Sequence, residues 1–368
     1  FKILKSKLKH YELMNDIRKT DEFIKFIPLT IKKIENKIPL KQIELDIMSF
    51  FCINISISMP WNPTEKCVGI KLNHIKRLNS SSRPYMVPFI IQNQSGHKYT
   101  KYILIKNEDI RKDKLTMCVS KWITIVCNDI FTINTYNVFP ITLSYGWVEM
   151  IEDCETLYNI KNTHQKTLQN YLMDINPRIS ILDMRNNFIK TCVASCILCY
   201  ILGVGDRHTE NILVNKYGDL VHIDFSYLLG EDPKINTEIN ITPDMLDMLG
   251  GYNSPTFMKF KKVCSEAYKK IRRRSSLWYM LLTYLTFSIP AIPQYYDNLE
   301  MIKIHTIERL IPGELDEEGN IQIMKILDKS STSWTNQISE YSHKLSNNMK
   351  DAATYVKSTT TGIFNIEL

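Results

Sequence analysis

The stretch Gly203 to Gly230, reading GVGDRHTENILVNKYGDLVHIDFSYLLG, constrains this chain more than any other, because it places His208, Asn211 and Asp224 around one predicted hairpin. The apolar run Ile212 to Val214 reads as a strand. Asn215 to Gly218 supply a turn, and Leu220 to Ile223 return, so Asn211 and Asp224 meet at one mouth of a two-stranded ribbon. An amide oxygen and a carboxylate so placed can hold a divalent cation on nucleotide phosphates, and an imidazole beside them can serve as base for an attacking hydroxyl. The spacing therefore predicts a phosphoryl-transfer site.

GDRHTENI followed by HIDF resembles the catalytic and metal-binding loops of the phosphatidylinositol 3- and 4-kinase superfamily, which also includes large protein kinases related to the lipid enzymes. The lead-in helix FIKTCVASCILCYILGVGDRH and the exit segments YLLGEDPK and MLDMLGGYNS are most similar to class III phosphatidylinositol 3-kinases. The resemblance runs from about Met59 to Met349. It implies an α+β, bilobal protein-kinase-like fold with a small β-rich N-lobe, a larger mainly helical C-lobe, and ATP in the cleft between them.

Expected boundaries follow the changes of period. Residues 1–49 show apolar positions at helical spacing, with Pro28 and Pro39 interrupting, and read as short helices that could end an upstream helical domain. From Phe51 to Met59 apolar residues alternate, the repeat of a half-buried strand, and residues 50–150 are taken as the N-lobe. Within it, Leu115, Cys118, Val119, Trp122, Ile125 and Val126 mark one face of a helix. Strand-like residues run on from Ile130 to Glu149. Residues 151–350 form the expected C-lobe with the catalytic and activation loops, and 351–368 an irregular tail.

Composition is that of an ordinary globular protein, with 44% apolar and 23% charged residues and a net charge of +7. The nine Cys residues follow no disulfide or zinc spacing and are expected as buried reduced thiols. Leu277 to Ile289, the longest apolar run, is too short to span a bilayer and is expected as a buried helix. No signal-peptide pattern opens the chain, which begins at Phe1 and is expected to be a fragment of a longer one. Abundant Lys, Ile and Asn suggest an AT-rich genome, such as that of a parasite or a large virus.

On the nucleotide side, Lys106 closes a predicted strand and Asp113 opens the helix at Leu115, so the two can approach; Lys106 would act as a point charge on the ATP phosphates. The loop between them is one residue shorter than the family pattern and lacks its Gly. Ser80, Ser81 and Ser82 before Arg83-Pro84 resemble the family's phosphate-covering loop. By the same resemblance, Glu149 and Ile151 would bond the adenine edge through carbonyl and amide, with Tyr136 and Asp113 at the back of the pocket. Met86, Leu104, Val148, Leu213 and Ile223 are candidates for the apolar sandwich around the base.

For the chemistry, His208 is assigned as base toward an inositol hydroxyl, Asn211 and Asp224 as ligands of Mg²⁺ or Mn²⁺, and Asp206, by analogy, as orienter of the loop or nucleophile. The metal loop reads DFS where kinases usually have DFG; Ser226 enters positive φ at a cost that Gly does not have, so the loop is expected to be stiffer or displaced. Substrate choice is expected between Ser226 and Thr242, where Glu231, Asp232 and Glu238 outnumber Lys234 and disfavour a phosphorylated headgroup. Unphosphorylated phosphatidylinositol fits, and Gly205 and YLLGEDPK imply the 3-position by resemblance.

The expected enzyme works peripherally on the cytosolic face of intracellular membranes, with regulatory protein subunits and no nucleic acid. Near the C-terminus, Trp334, Ile338, Tyr341 and Leu345 recur at helical spacing, a face for membrane or for the large lobe. Lys269, Lys270 and Arg272 to Arg274 face either solvent or anionic lipid. Alternatives are a phosphatidylinositol 4-kinase, a related Ser/Thr protein kinase, and a catalytically weak scaffold.

Overall fold

The computed structural model describes residues 11–80, 82–131, 133–231, 238–290 and 298–332. Ser81, Asp232, Lys234 and the 334–345 repeat lie outside these residues. The chain divides into two compact units. One takes the described residues up to Lys114 together with Tyr136–Glu152; the other takes Leu115–Thr135 and the described residues from Asp153 onward.

The first unit is a seven-stranded antiparallel sheet under two helices, α1 (Tyr11–Glu35) and α2 (Leu40–Ile53). Its strands are β1 (Ile57–Met59), β2 (Asn62–Ile70), β3 (Lys76–Arg77), β4 (Tyr85–Gln92), β5 (Lys98–Lys106), β6 (Val138–Thr142) and β7 (Tyr145–Glu149). They run in the order β1-β2-β4-β5-β7-β6, with β3 paired to β4. Side chains alternate across a strand, so Val87, Phe89, Ile103, Ile105 and Trp147 form one buried face, closed by Phe23 and Ile27 of α1 and Ile43 and Ile47 of α2. Phe23 lies 5.1 Å from Phe89 and 5.5 Å from Trp147, ring centre to ring centre. The helical pair is thus part of the same core as the sheet.

Two local expectations fail here. Pro28 lies inside α1 instead of ending it, because burial of Phe23, Ile27 and Ile31 outweighs the ~3 kcal/mol that an interior proline costs. The alternation at Phe51 to Met59 does not make one strand: residues to Ile53 belong to α2, and only Ile57–Met59 is extended. Ile43, Ile47 and Phe50 recur at helical spacing and meet Phe23 and Phe26, which settles the period, while Ile53 and Ile55 are left exposed.

Helix α3 (Arg111–Val126) starts in the first unit and continues into the second. Its buried stripe is Leu115, Thr116, Val119, Ser120 and Ile123, not the expected set: Ile125 is exposed. The Ser120 hydroxyl donates to the Thr116 carbonyl at 2.8 Å, which lets a polar side chain sit in the stripe.

In the second unit, β8 (Cys154–Thr156), β9 (Ile212–Asn215) and β10 (Leu220–His222) make a three-stranded sheet in the order β10-β9-β8. Around it lie α4 (Leu157–Asn162), α5 (Leu168–Ile175), α6 (Ile181–Leu202), α7 (Pro243–Met248), α8 (Pro255–Arg272), α9 (Ser275–Ser288), α10 (Leu299–Leu310) and α11 (Asp316–Thr332). From Thr191 to Leu202, its last three turns, helix α6 is buried on all sides, so it is the post on which the sheet leans. Cys192, Cys196 and Cys199 on it are buried free thiols, and burial pushes Cys199 up to about 12.

One surface expectation changes. Helix α9 is not a buried helix: Trp278, Leu282 and Leu285 face inward, but Leu277, Met280 and Tyr284 are exposed. None of the described helices is long and apolar enough to cross a membrane. The basic run of α8 faces solvent as expected, apart from the buried Arg272, while its charges find partners within the unit. Lys269, Arg272 and Arg273 converge on Asp316, whose carboxyl is held down at about 2 by Arg273 and Lys269, and Lys270 pairs with Asp129.

Two buried imidazoles make this unit sensitive to acid. Burial, with Arg207 nearby, lowers His222 to about 3, and burial lowers His305, which donates to the Ile201 carbonyl at 2.8 Å, to about 4. Both folded values lie below the ordinary 6.5, so their contribution is complete above pH 6.5. It is lost as pH falls, because the unfolded chain takes up protons that the folded one refuses. Urea unfolding is expected to show about 4 kcal/mol less stability at pH 5 than at pH 7.5 from these two groups. A flat profile across that range would contradict their neutral burial.

Candidate active site

Helix α6 ends at Gly203, whose φ of 57° suits the left-handed cap and whose missing side chain matters: a Cβ there would lie 2.7 Å from the Gly230 nitrogen. This close approach lets the two loops pair. Leu229 donates to Leu202 at 2.7 Å, Gly230 to Gly203 at 3.0 Å, and Gly205 to Tyr227 at 3.1 Å. The loop entering His208 and the loop leaving Asp224 are therefore stitched along their backbones.

Strands β9 and β10 pair in register from Val214 with Leu220 to Ile212 with His222, and the Ile223 amide donates to the Asn211 carbonyl at 3.0 Å. Asn211 and Asp224 thus flank one end of the ribbon. Asn211 Nδ2 donates to the Asp206 carbonyl at 3.2 Å and lies 3.1 Å from His208 Nε2. With the amide nitrogen so engaged, its carbonyl oxygen is the acceptor left for a cation. His208 Nε2 is 3.7 Å from the Asp206 carboxylate, and Nδ1 is 3.9 Å from Glu210. The histidine is mostly enclosed, with 12% of its side chain exposed.

Asp206 and Asp224 both sit at positive φ, 52° and 58°. Non-glycine residues rarely hold this conformation unless their surroundings enforce it, and such strain gathers at functional loops. The enforcing group is Arg207. Its Nε donates to the Gly205 carbonyl at 3.0 Å, one terminal nitrogen donates to Ile223 at 2.7 Å, and the other donates to the Asp224 carbonyl. Its guanidinium lies 5.1 Å from the Phe225 ring centre. Sequence reasoning gave Arg207 no role, because its acceptors are backbone carbonyls, which every residue carries; only its place between Asp206 and His208 pointed to it.

Ser226 corrects another expectation. It does not take positive φ; Asp224 does, so the serine causes no backbone strain. Its hydroxyl donates to Asp224 Oδ1 at 2.6 Å. Among the described residues no three His, Cys, Asp or Glu side chains gather as a complete metal cage. One carboxylate and one amide oxygen are donors of the kind that Mg²⁺ accepts together with phosphate oxygens.

The first unit carries the nucleotide-side candidates. Met86 pairs with Leu104, and Leu104 with Val148, so three apolar side chains lie side by side on the sheet face opposite the Trp147 core. Lys106, two residues beyond Leu104, shares that face. Its ammonium is 2.7 Å from the Glu108 carboxylate, a partner that the sequence reading did not name. The Tyr136 hydroxyl donates to Asp113 at 3.4 Å.

Glu149 is held from two sides: Lys101 lies 2.8 Å from one carboxylate oxygen, and Asn137 Nδ2 donates to the other at 2.6 Å. Neither anchor was legible from sequence. The next amide, Met150, donates to the Tyr102 carbonyl at 2.9 Å, which fixes the strand leading to Ile151. Ser80 accepts from the Arg83 amide at 3.1 Å in a tight turn that also includes Ser82. Leu213 and Ile223, in the second unit, are both partly exposed beside the catalytic hairpin.

Comparison with known proteins follows the same lines. The family model described as phosphatidylinositol 3- and 4-kinase matches residues 99–288. A Schizosaccharomyces pombe protein named phosphatidylinositol 3-kinase pik3 is 26% identical over 87% of this chain and 40% of its own length. The Arabidopsis thaliana phosphatidylinositol 3-kinase VPS34 is 28% identical over 83% of this chain and 37% of its own. A human protein named phosphatidylinositol 4-phosphate 3-kinase C2 domain-containing subunit beta is 27% identical over 82% of this chain and 19% of its own. The chain thus spans two fifths or less of these relatives.

Proposed function

Because the chain belongs to the phosphatidylinositol 3- and 4-kinase family, we propose that it transfers the ATP γ-phosphate to the 3-hydroxyl of phosphatidylinositol, giving phosphatidylinositol 3-phosphate. The observation that carries this reading is the convergence of His208, Asn211 and Asp224 on one end of the β9–β10 ribbon. The names of the relatives support the 3-kinase reading.

In this reading His208 receives the proton of the attacking hydroxyl, and the Asn211 amide, 3.1 Å from Nε2, helps to hold the ring in place. Asp206 lies close enough to stabilise the imidazolium so formed. Asn211 and Asp224 would hold a Mg²⁺ or Mn²⁺ ion, which neutralises charge building on the transferring phosphoryl group. Lys106, paired with Glu108, would steady the phosphates, and Met86, Leu104 and Val148 would line one side of the adenine. Positioning and charge stabilisation are most of what phosphoryl transfer asks of a protein.

Phosphatidylinositol is the proposed substrate because the segment after Asp224 has Glu231 and Glu238 to set against a phosphorylated headgroup, and Lys329 of α11 is drawn to Glu238 at 3.6 Å. Peripheral work on the cytosolic face of intracellular membranes, with regulatory subunits, belongs to the same proposal. Labelled ATP offered with vesicles of phosphatidylinositol, vesicles of phosphatidylinositol 4-phosphate, or a generic protein substrate tests it. Label in the first lipid supports the reading; label chiefly in the second or in protein overturns it.

A further inference from the structure

We propose that Ser226 is a positioning residue that makes Asp224 a one-oxygen metal ligand and so biases the site toward small octahedral cations such as Mg²⁺ over Ca²⁺. The inference rests on the reading of Asp224 as a metal ligand. Ser226 stands where the usual loop has glycine, so the hydroxyl is a feature of this chain. It donates to Asp224 Oδ1 at 2.6 Å, in the short range of a charge-assisted O–H···O⁻ bond.

Three features make this bond consequential. Asp224 is held at positive φ by the Arg207 bond to its carbonyl, so the backbone of the ligand is already fixed and only its side-chain rotation is left to set. Ser226 itself is outside the left-handed region, so the hydroxyl reaches the carboxylate without backbone strain. Finally, a donor on Oδ1 takes up one of that oxygen's lone pairs and leaves Oδ2 as the stronger electron-pair donor. A carboxylate that offers one oxygen suits Mg²⁺, which demands near-ideal octahedral geometry; Ca²⁺ readily takes both oxygens of one carboxylate in a larger shell. Partners that orient a metal ligand from behind commonly change metal affinity 10- to 100-fold when removed.

The test is metal-dependent binding of a fluorescent, non-hydrolysable ATP analogue to the full chain, titrated with Mg²⁺ or with Ca²⁺, alongside kcat at saturating Mg²⁺. For Ser226→Ala the half-saturating Mg²⁺ concentration is expected to rise about tenfold while that for Ca²⁺ moves little. The Mg²⁺ preference should shrink accordingly, and kcat at saturating Mg²⁺ should stay within a few-fold. Ser226→Thr, which keeps the hydroxyl, is expected to restore the Mg²⁺ titration. An unmoved Mg²⁺ titration in Ser226→Ala, or a fall in kcat at every Mg²⁺ concentration with the titration unchanged, would overturn the proposal. Asp224→Ala separates the two layers. If it binds the analogue with undiminished Mg²⁺ dependence, Asp224 is not the ligand and the premise fails; if it loses that dependence while Ser226→Ala keeps it, the premise stands and the role of Ser226 falls.

Discussion

Asp224→Ala is expected to lower lipid phosphorylation by about 10³-fold or more while leaving the fold intact. The side chain is half-buried at the end of the ribbon, and it accepts a loop hydrogen bond from Ser226. Several kcal/mol of charge stabilisation would leave with the cation, and each 1.4 kcal/mol is a factor of about ten in rate. Measured kcat with urea unfolding on the same preparation checks both halves. Undiminished product would show that Asp224 does not hold the catalytic cation.

Arg207→Ala should have the second largest effect, on stability as well as on rate. The residue is 5% exposed, and its guanidinium donates to three backbone carbonyls, those of Gly205, Ile223 and Asp224. Stripping a buried acceptor of its donor costs about 1–3 kcal/mol, so the loss is expected near 3–6 kcal/mol if part of the loop stays closed to water. Asp224 would lose the anchor that keeps it at positive φ, so activity should fall by roughly 10² or more even in molecules that remain folded. Arg207→Lys keeps the charge but not the planar fork, and is expected to recover stability in part and activity least. Equal recovery of both would show that charge alone, without the three-way clamp, is what the loop needs.

The contrast between Arg207 and Asp224 shows what the sequence makes legible. Asp224, Asn211 and His208 carry chemistry in their side chains, and a hairpin predicted from a short apolar run, a turn and a returning run was enough to bring them near one another. Strands β9 and β10 are short, local and joined by four turn residues, so little long-range information was required. Arg207, Lys101 and Asn137 act on backbone or on residues tens of positions away, and nothing in their spacing announces it.

The same logic explains the misread elements. Phe51 to Met59 fits a two-residue period and a helical one at once, and the choice was made by aromatic packing onto Phe23, a contact between distant segments. The basic run of α8 is a surface charge patch, as its sequence suggests, but its pairing with Asp316, far along the chain, was legible only in the fold. Helix α9 is apolar all round by sequence, yet only one side of it found neighbours among the described residues. Ser226 was read as a misfit at a glycine position; the backbone strain fell on Asp224 instead, and the serine became a hydrogen-bond donor to it.

The account's central claim is tested most directly by the position of the phosphate on the lipid product. The chain is incubated with labelled ATP, Mg²⁺ and phosphatidylinositol vesicles, the lipid is deacylated, and the glycerophosphoinositol phosphates are separated against 3- and 4-phosphate standards, with His208→Ala run in parallel. The account predicts label in the 3-phosphate alone and a loss of about 10²–10⁴-fold in the variant. Label in the 4-phosphate, or a product that His208→Ala forms as fast as the unaltered chain, would contradict it.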